Sequence, residues 1–125
     1  MEREPVIVAG FGFRSGASAQ SLAEAYARAG GGAEALATAR DKTETAAFRA
    51  LAETLRLPVL GLSESALAAQ PTLTRSAAAK RARGTGSLAE AAALAAAGPG
   101  ARLLGPRVIS ADRMATCAIA TGDPS

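Results

Sequence analysis

Apolar positions along this chain fall into two patterns. Short continuous runs, Val6-Ile7-Val8-Ala9 and Leu57-Pro58-Val59-Leu60, predict buried strands of a parallel sheet. Pro58 fits best at the start of its strand, because proline donates nothing to a ladder. Longer stretches space their apolar residues three and four apart. Leu22, Ala25, Tyr26 and Ala29 do so within Ser18 to Ala29, and Ala47, Phe48, Leu51, Ala52 and Leu55 within Thr43 to Arg56. Both predict helices, the first stopped by Gly30-Gly31-Gly32. Ala33 to Ala39 reads as a strand by its place in the order, since it is poor in β-branched residues. Ser63 can cap a short helix holding Ala66 and Leu67. The order strand-helix-strand-helix-strand predicts a parallel sheet with right-handed crossovers.

The second half is less regular. Pro71 interrupts it, and Thr74 to Arg83 reads as a helix with a basic end, Lys80-Arg81-Ala82-Arg83. After the turn Gly84-Thr85-Gly86, Ser87 to Ala97 is a strong helix closed by Gly98-Pro99-Gly100. Arg102 to Ile109 and Ala115 to Ala120 read as strands joined by the polar turn Ser110 to Arg113. A direct turn makes those two antiparallel, so the sheet is mixed. The expected fold is α/β, a single domain over residues 1–125, with helices on a mixed, mainly parallel sheet of about five strands. Residues 1–4 and 121–125 are expected to fray.

Composition narrows the function classes. With 49% hydrophobic but only 3% aromatic residues, the core is built from Leu, Val, Ile and Ala, which demands close packing. The chain holds no His and a single Cys, Cys117. A Cys/His zinc site, a Ser-His-Asp triad and an internal disulfide are thereby excluded, and the cysteine usage fits a reducing cytoplasm. No metal site and no cofactor is expected. No apolar run reaches membrane-spanning length, so no membrane partner is expected. A formal charge of +3 suits an anionic ligand. Without a basic stripe interleaved with aromatics, nucleic acid is not expected.

In parallel sheets, ligands sit beyond the carboxyl ends of the strands. That rule gathers Gly10 to Gly16, Thr38 to Glu44 and Gly61 to Glu64. Arg14, Ser15 and Lys42 then fall where a carboxylate or phosphate binds, near free backbone N–H groups. The first loop reads G-x-G-x-x-x-G, one residue longer than the dinucleotide fingerprint, which keeps a nucleotide ligand as an alternative. Each feature also has a plainer reading. The glycines suit tight helix–strand packing, and Asp41-x-x-Glu44 and Ser87-x-x-Glu90 match capping boxes. Cys117 reads as a buried small hydrophobe, and Lys80 to Arg83 as a solvated face.

Four stretches occur in order over nearly the whole chain: GFGFRSGAS (10–18), LATARDKTE (36–44), GSLAEAAALAAAGPGARLLGPR (86–107) and ATCAIA (115–120). Together they resemble the CobE family, itself similar to the C-terminal domain of CbiG of cobalamin biosynthesis. The resemblance implies a three-layer α/β/α domain acting in corrin assembly. Its partners would be a corrin or precorrin intermediate and a further enzyme of that pathway. The fused anaerobic protein opens a cobalt-precorrin lactone and releases a two-carbon aldehyde; this chain resembles the stand-alone type.

The family loop commonly reads G-x-G-C-R-[KR]-G. Gly10, Gly12, Arg14 and Gly16 match it, whereas Phe13 replaces the Cys and Ser15 the second cation. Thr38, Lys42 and Glu44 fit the second loop, Asp41 is compatible, and Ser87 and Glu90 fit the start of the last helix. The expected ligand set is therefore Gly10, Gly12, Arg14, Ser15, Gly16, Thr38, Lys42 and Ser87, with Phe11 or Phe13 as an apolar shelf for the macrocycle. Binding, as carrier or auxiliary factor, is the first expectation. The alternative is a precorrin hydrolase with Glu44 or Asp41 as general base and Lys42 as electrostatic stabiliser.

Overall fold

The structure, a computed structural model, describes residues 6–77, 80–81 and 86–122. Its strands are β1 (Ile7–Phe13), β2 (Ala35–Ala39), β3 (Val59–Leu62), β4 (Arg102–Leu103), β5 (Val108–Ile109) and β6 (Ala115–Thr121). The sheet order is β3-β2-β1-β6-β4, with β5 also on β6. β1, β2 and β3 pair in parallel. β6 runs against β1 through a seven-residue register, Ile7↔Thr121 to Phe13↔Ala115, and β4 and β5 run against β6. All strands except β6 therefore share one direction, which is the mixed, mainly parallel sheet read from the sequence.

Helices α1 (Ala19–Ala29), α2 (Ala46–Leu55), α3 (Glu64–Ala68) and α4 (Leu88–Ala97) cover both faces. Alternation along β1 divides the core in two. Ala9, Phe11 and Phe13 pack with Leu22 and Ala25 of α1 and Phe48 and Leu51 of α2. Phe48 lies edge-on to Phe11 at 5.6 Å and stacks on Phe13 at 5.8 Å between ring centroids. Val8 belongs to the other face, with Ala37, Ala39, Leu67 and the Ala-rich α4. Every α4 residue from Leu88 to Leu94 is buried, so this helix is apolar nearly all round apart from Glu90.

Serines start three helices. Ser18, Ser63 and Ser87 each accept, through Oγ, the backbone N–H three residues on. Gly30 ends α1 in the left-handed region at φ 115°.

The structure moves several expected boundaries. β1 runs on through Gly10, Phe11, Gly12 and Phe13, because β6 pairs with it along that whole length. The Gly10 to Gly16 loop thus shortens to the residues after Phe13. α2 begins three residues later than expected, because Arg40–Lys42 forms a 3-10 turn closed by Thr43 Oγ1 donating to Arg40 O at 2.8 Å. β3 is shifted two residues onward; Pro58 lends only its carbonyl, to Leu36 N. The single strand expected over Arg102 to Ile109 is two short pieces separated by a loop through Gly105-Pro106. Of the helix expected over Thr74 to Arg83, residues 78, 79, 82 and 83 lie outside the described ones, as do 1–5 and 123–125. Among the described residues no helix is long and apolar enough to cross a membrane.

Candidate ligand-binding edge

Parallel pairing brings the carboxyl ends of β1, β2 and β3 to one edge of the sheet. β6 runs the other way, so the turn before it, Ser110 to Met114, joins that edge beside Arg14. The N-terminal turns of α1, α2 and α3 follow their strands there. α4 arrives from the far face with Leu88 against Gly12.

The glycines separate into two roles. A Cβ on Gly10 would stand 2.1 Å from Ala89 O and 2.5 Å from Ala93 N, and one on Gly12 2.9 Å from Thr116 Oγ1 and 3.3 Å from Leu88 Cβ. At Gly10 it is α4 that approaches the backbone closely, and at Gly12 the Thr116 side chain of β6 comes nearest, with the start of α4 behind it. Gly16 lies exposed in the turn, where the nearest neighbour is the flexible end of Met114 at 3.2 Å. The loop after β1 thus keeps one glycine, and the motif behind a nucleotide reading is spent on strand and packing.

Arg14 and Ser15 are exposed. Arg14 is fixed through its backbone, its N–H donating to Met114 O at 2.9 Å and its carbonyl accepting from Ala17 N at 3.0 Å. Lys42 is half-buried beside it in space. Its Nζ donates to Phe13 O at 2.8 Å and stands 4.6 Å from the centre of the Phe13 ring. Lys42 therefore satisfies the last carbonyl of β1 while keeping its charge at the edge.

Thr38 and Ser87 are fully buried. Thr38 Oγ1 donates to Phe11 O at 2.8 Å, tying β2 to β1, and Ser87 caps α4. Phe11 and Phe13 lie in the core, so neither forms the apolar shelf expected from the sequence. Asp41 and Glu44 are exposed, and Glu44 lies 3.7 Å from Arg49. This pair does not start α2, whose N-cap is Thr45, without a side-chain bond. An open cleft of about 450 Å³ lies between α2 and β3, lined by Arg40, Thr43, Glu44, Arg49, Glu53 and Gly61 among others.

Three features of this region were not drawn from the sequence. Glu90 makes only half of its capping box. Its N–H reaches Ser87, while its carboxylate, fully buried, accepts Thr74 N at 2.8 Å, Thr74 Oγ1 at 2.7 Å and Arg107 N at 2.7 Å. Burial alone pushes its pKa up, yet the bonds from Thr74 and from the Arg107 and Leu73 amides outweigh this and the net shift is downward. Asp112 is likewise held below the usual range, by Ser110 and Ser21 hydroxyls and the Met114 amide. Arg113, next to it, has φ 62°. The strand-end rule, extended to the turn preceding an antiparallel strand, is the signal that finds Asp112 and Arg113.

Cys117 faces the core beside Phe11, fully buried, and burial pushes its thiol far above the ordinary value. Ellman's reagent is expected to leave the native protein unreacted and to titrate one thiol once guanidinium unfolds it. Rapid stoichiometric reaction in plain buffer would contradict this placement.

A family model, the cobalamin synthesis G C-terminus, matches residues 7–120. The crystal structure of CobE, a protein from the cobalamin (vitamin B12) biosynthetic pathway, superposes with a TM-score of 0.82 at 32% identity, over 100% of this chain and 96% of that one. That of the cobalamin biosynthesis protein chiG from Agrobacterium tumefaciens str. C58 gives 0.70 at 34% identity, over 94% and 99%. A cobalamin biosynthesis protein G homolog from Sulfolobus solfataricus gives 0.68 at 18% identity, over 97% of this chain and 38% of that one, a likeness of fold alone. No curated protein matches the chain.

Proposed function

The chain belongs to the cobalamin synthesis G C-terminal family, and from that premise we propose that it binds a carboxylate-rich corrin or precorrin intermediate at the carboxyl edge of its sheet, as a carrier or auxiliary factor. The observation that carries the reading is the position of Arg14. It is an exposed guanidinium on a backbone fastened to Met114, at the edge where parallel sheets take ligands, with the Lys42 charge behind it. Corrin precursors bear acetate and propionate groups around their rim. Arginine meets such carboxylates through two parallel bonds, and the helix N-termini at this edge add a favourable field. On this proposal it works in the cytoplasm and hands the intermediate to, or takes it from, another enzyme of the pathway.

The hydrolase alternative draws no support from the geometry. Asp41 and Glu44 stand in solvent, and Lys42 spends a bond on Phe13 O. In a visible-absorbance titration with the metal-free corrin hydrogenobyrinic acid, Arg14→Ala is expected to bind about ten-fold more weakly than wild type at equal melting temperature. Unchanged affinity in that variant would remove the ligand from this loop.

A further inference from the structure

The turn between β5 and β6 holds a cation in a costly conformation. Among the described residues two non-glycine residues have positive φ, Arg56 and Arg113. Arg56 simply ends α2, the common place for a left-handed residue. Arg113 occupies the left-handed position of a hairpin loop, which glycine or asparagine fills at less strain.

Everything around it is pinned. Ser110 N donates to Ala115 O and Arg113 N to Ser110 O, both at 2.9 Å. Asp112 Oδ1 accepts Ser110 Oγ at 2.6 Å and Met114 N at 3.0 Å, while its Oδ2 accepts Ser21 Oγ of α1. Glu24 of α1 accepts Ala111 N. The neighbouring carboxylates are thus occupied with hydroxyls and amides. Arg113 is exposed, and among the described residues neither it nor Arg14 makes an ion pair or a side-chain hydrogen bond. The Arg14 N–H to Met114 O bond puts the two arginines on adjacent stretches of backbone at the end of the β1–β6 ribbon.

We propose that Arg113 is a second carboxylate-binding residue, paired with Arg14 across that ribbon end and presented by the rigid Ser110–Met114 turn. The inference rests on the reading of the edge as a corrin site, and supplies it with a specificity-determining cation on a turn that the strand-end rule did not gather. Two guanidinium groups on adjacent stretches of backbone suit a ligand carrying adjacent carboxylates, and they favour it over a monocarboxylate of the same size.

The test replaces Arg113 by the residue its backbone prefers. Arg113→Gly is expected to raise the melting temperature by about 3 °C while weakening hydrogenobyrinic acid binding by about ten-fold. Arg56→Gly, which relieves the same conformation at the opposite end of α2, is expected to leave affinity unchanged. Wild-type affinity in Arg113→Gly, with wild type itself titrating normally, overturns this inference and leaves the corrin reading intact. A fall in melting temperature would equally overturn it, since the arginine would then be there for the fold. Absence of saturable binding in wild type overturns the corrin reading and this inference together.

Discussion

Gly10→Ala is expected to leave little folded protein. The added methyl would lie 2.1 Å from Ala89 O and 2.5 Å from Ala93 N, both backbone atoms of α4. A flexible side chain yields to such a contact, but here the whole helix has to lift. α4 is buried from Leu88 to Leu94 and spans the face of β1 and β2, so lifting it exposes that entire layer. The cost is set at 3 kcal/mol or more, about 3 being the upper end for overpacking that side chains can relieve. Against a total stability of about 5–15 kcal/mol, that lowers the melting temperature by about 10 °C or prevents folding. Gly16→Ala is the control, because the terminal methyl of Met114 can move aside. Circular dichroism melting of the two variants checks the contrast, and a Gly10→Ala protein as stable as wild type would contradict the packing of α4 on β1.

Glu90→Gln is the second large effect. Both carboxylate oxygens accept bonds, and an amide turns one of them into a donor that faces Thr74 or Arg107 N–H. A buried donor left without an acceptor, together with the loss of charge-assisted bonds, costs about 3 kcal/mol. The effect depends on pH. Because the folded state holds the Glu90 pKa below its ordinary value of 4.5, the unfolded chain takes up the proton first. The stabilisation is fully present above that ordinary value and is lost as pH falls through the folded one. Urea titrations are therefore expected to show a wide gap between wild type and variant at neutral pH that narrows in acid. A gap independent of pH would mean that Glu90 folds in its neutral form.

The parts of this protein that were legible in its sequence are those decided locally. Helix starts at Ser18, Ser63 and Ser87 follow from one side chain and three residues of backbone. The stop at Gly30 does as well. The turn at Ser110 to Arg113 and the mixed sheet it implies were likewise readable from polar residues between two apolar runs. What misled was the glycine-rich stretch. Gly10 and Gly12 look like a loop in one dimension, and only the approach of α4, nearly eighty positions later, and of Thr116 on β6 shows why a strand carries them.

The same holds for the site. Arg14 and Lys42 could be placed at the strand ends by a topological rule, and the structure puts both there. Thr38 and Ser87 matched the family pattern equally well, yet their hydroxyls are used up inside, on Phe11 O and Glu90 N. Sequence spacing does not distinguish a hydroxyl that meets a ligand from one that fastens two strands. Glu90 shows the converse: its capping spacing is correct, and its carboxylate still goes elsewhere, to Thr74 and Arg107.

The measurement that bears most directly on the corrin reading is a titration of the wild-type protein with hydrogenobyrinic acid, followed by visible absorbance at low and at moderate salt. The reading predicts saturable binding in the micromolar range that weakens as salt rises, because carboxylates on arginines are screened. A spectrum that never saturates, or an affinity indifferent to salt, would contradict a carboxylate-binding edge built around Arg14.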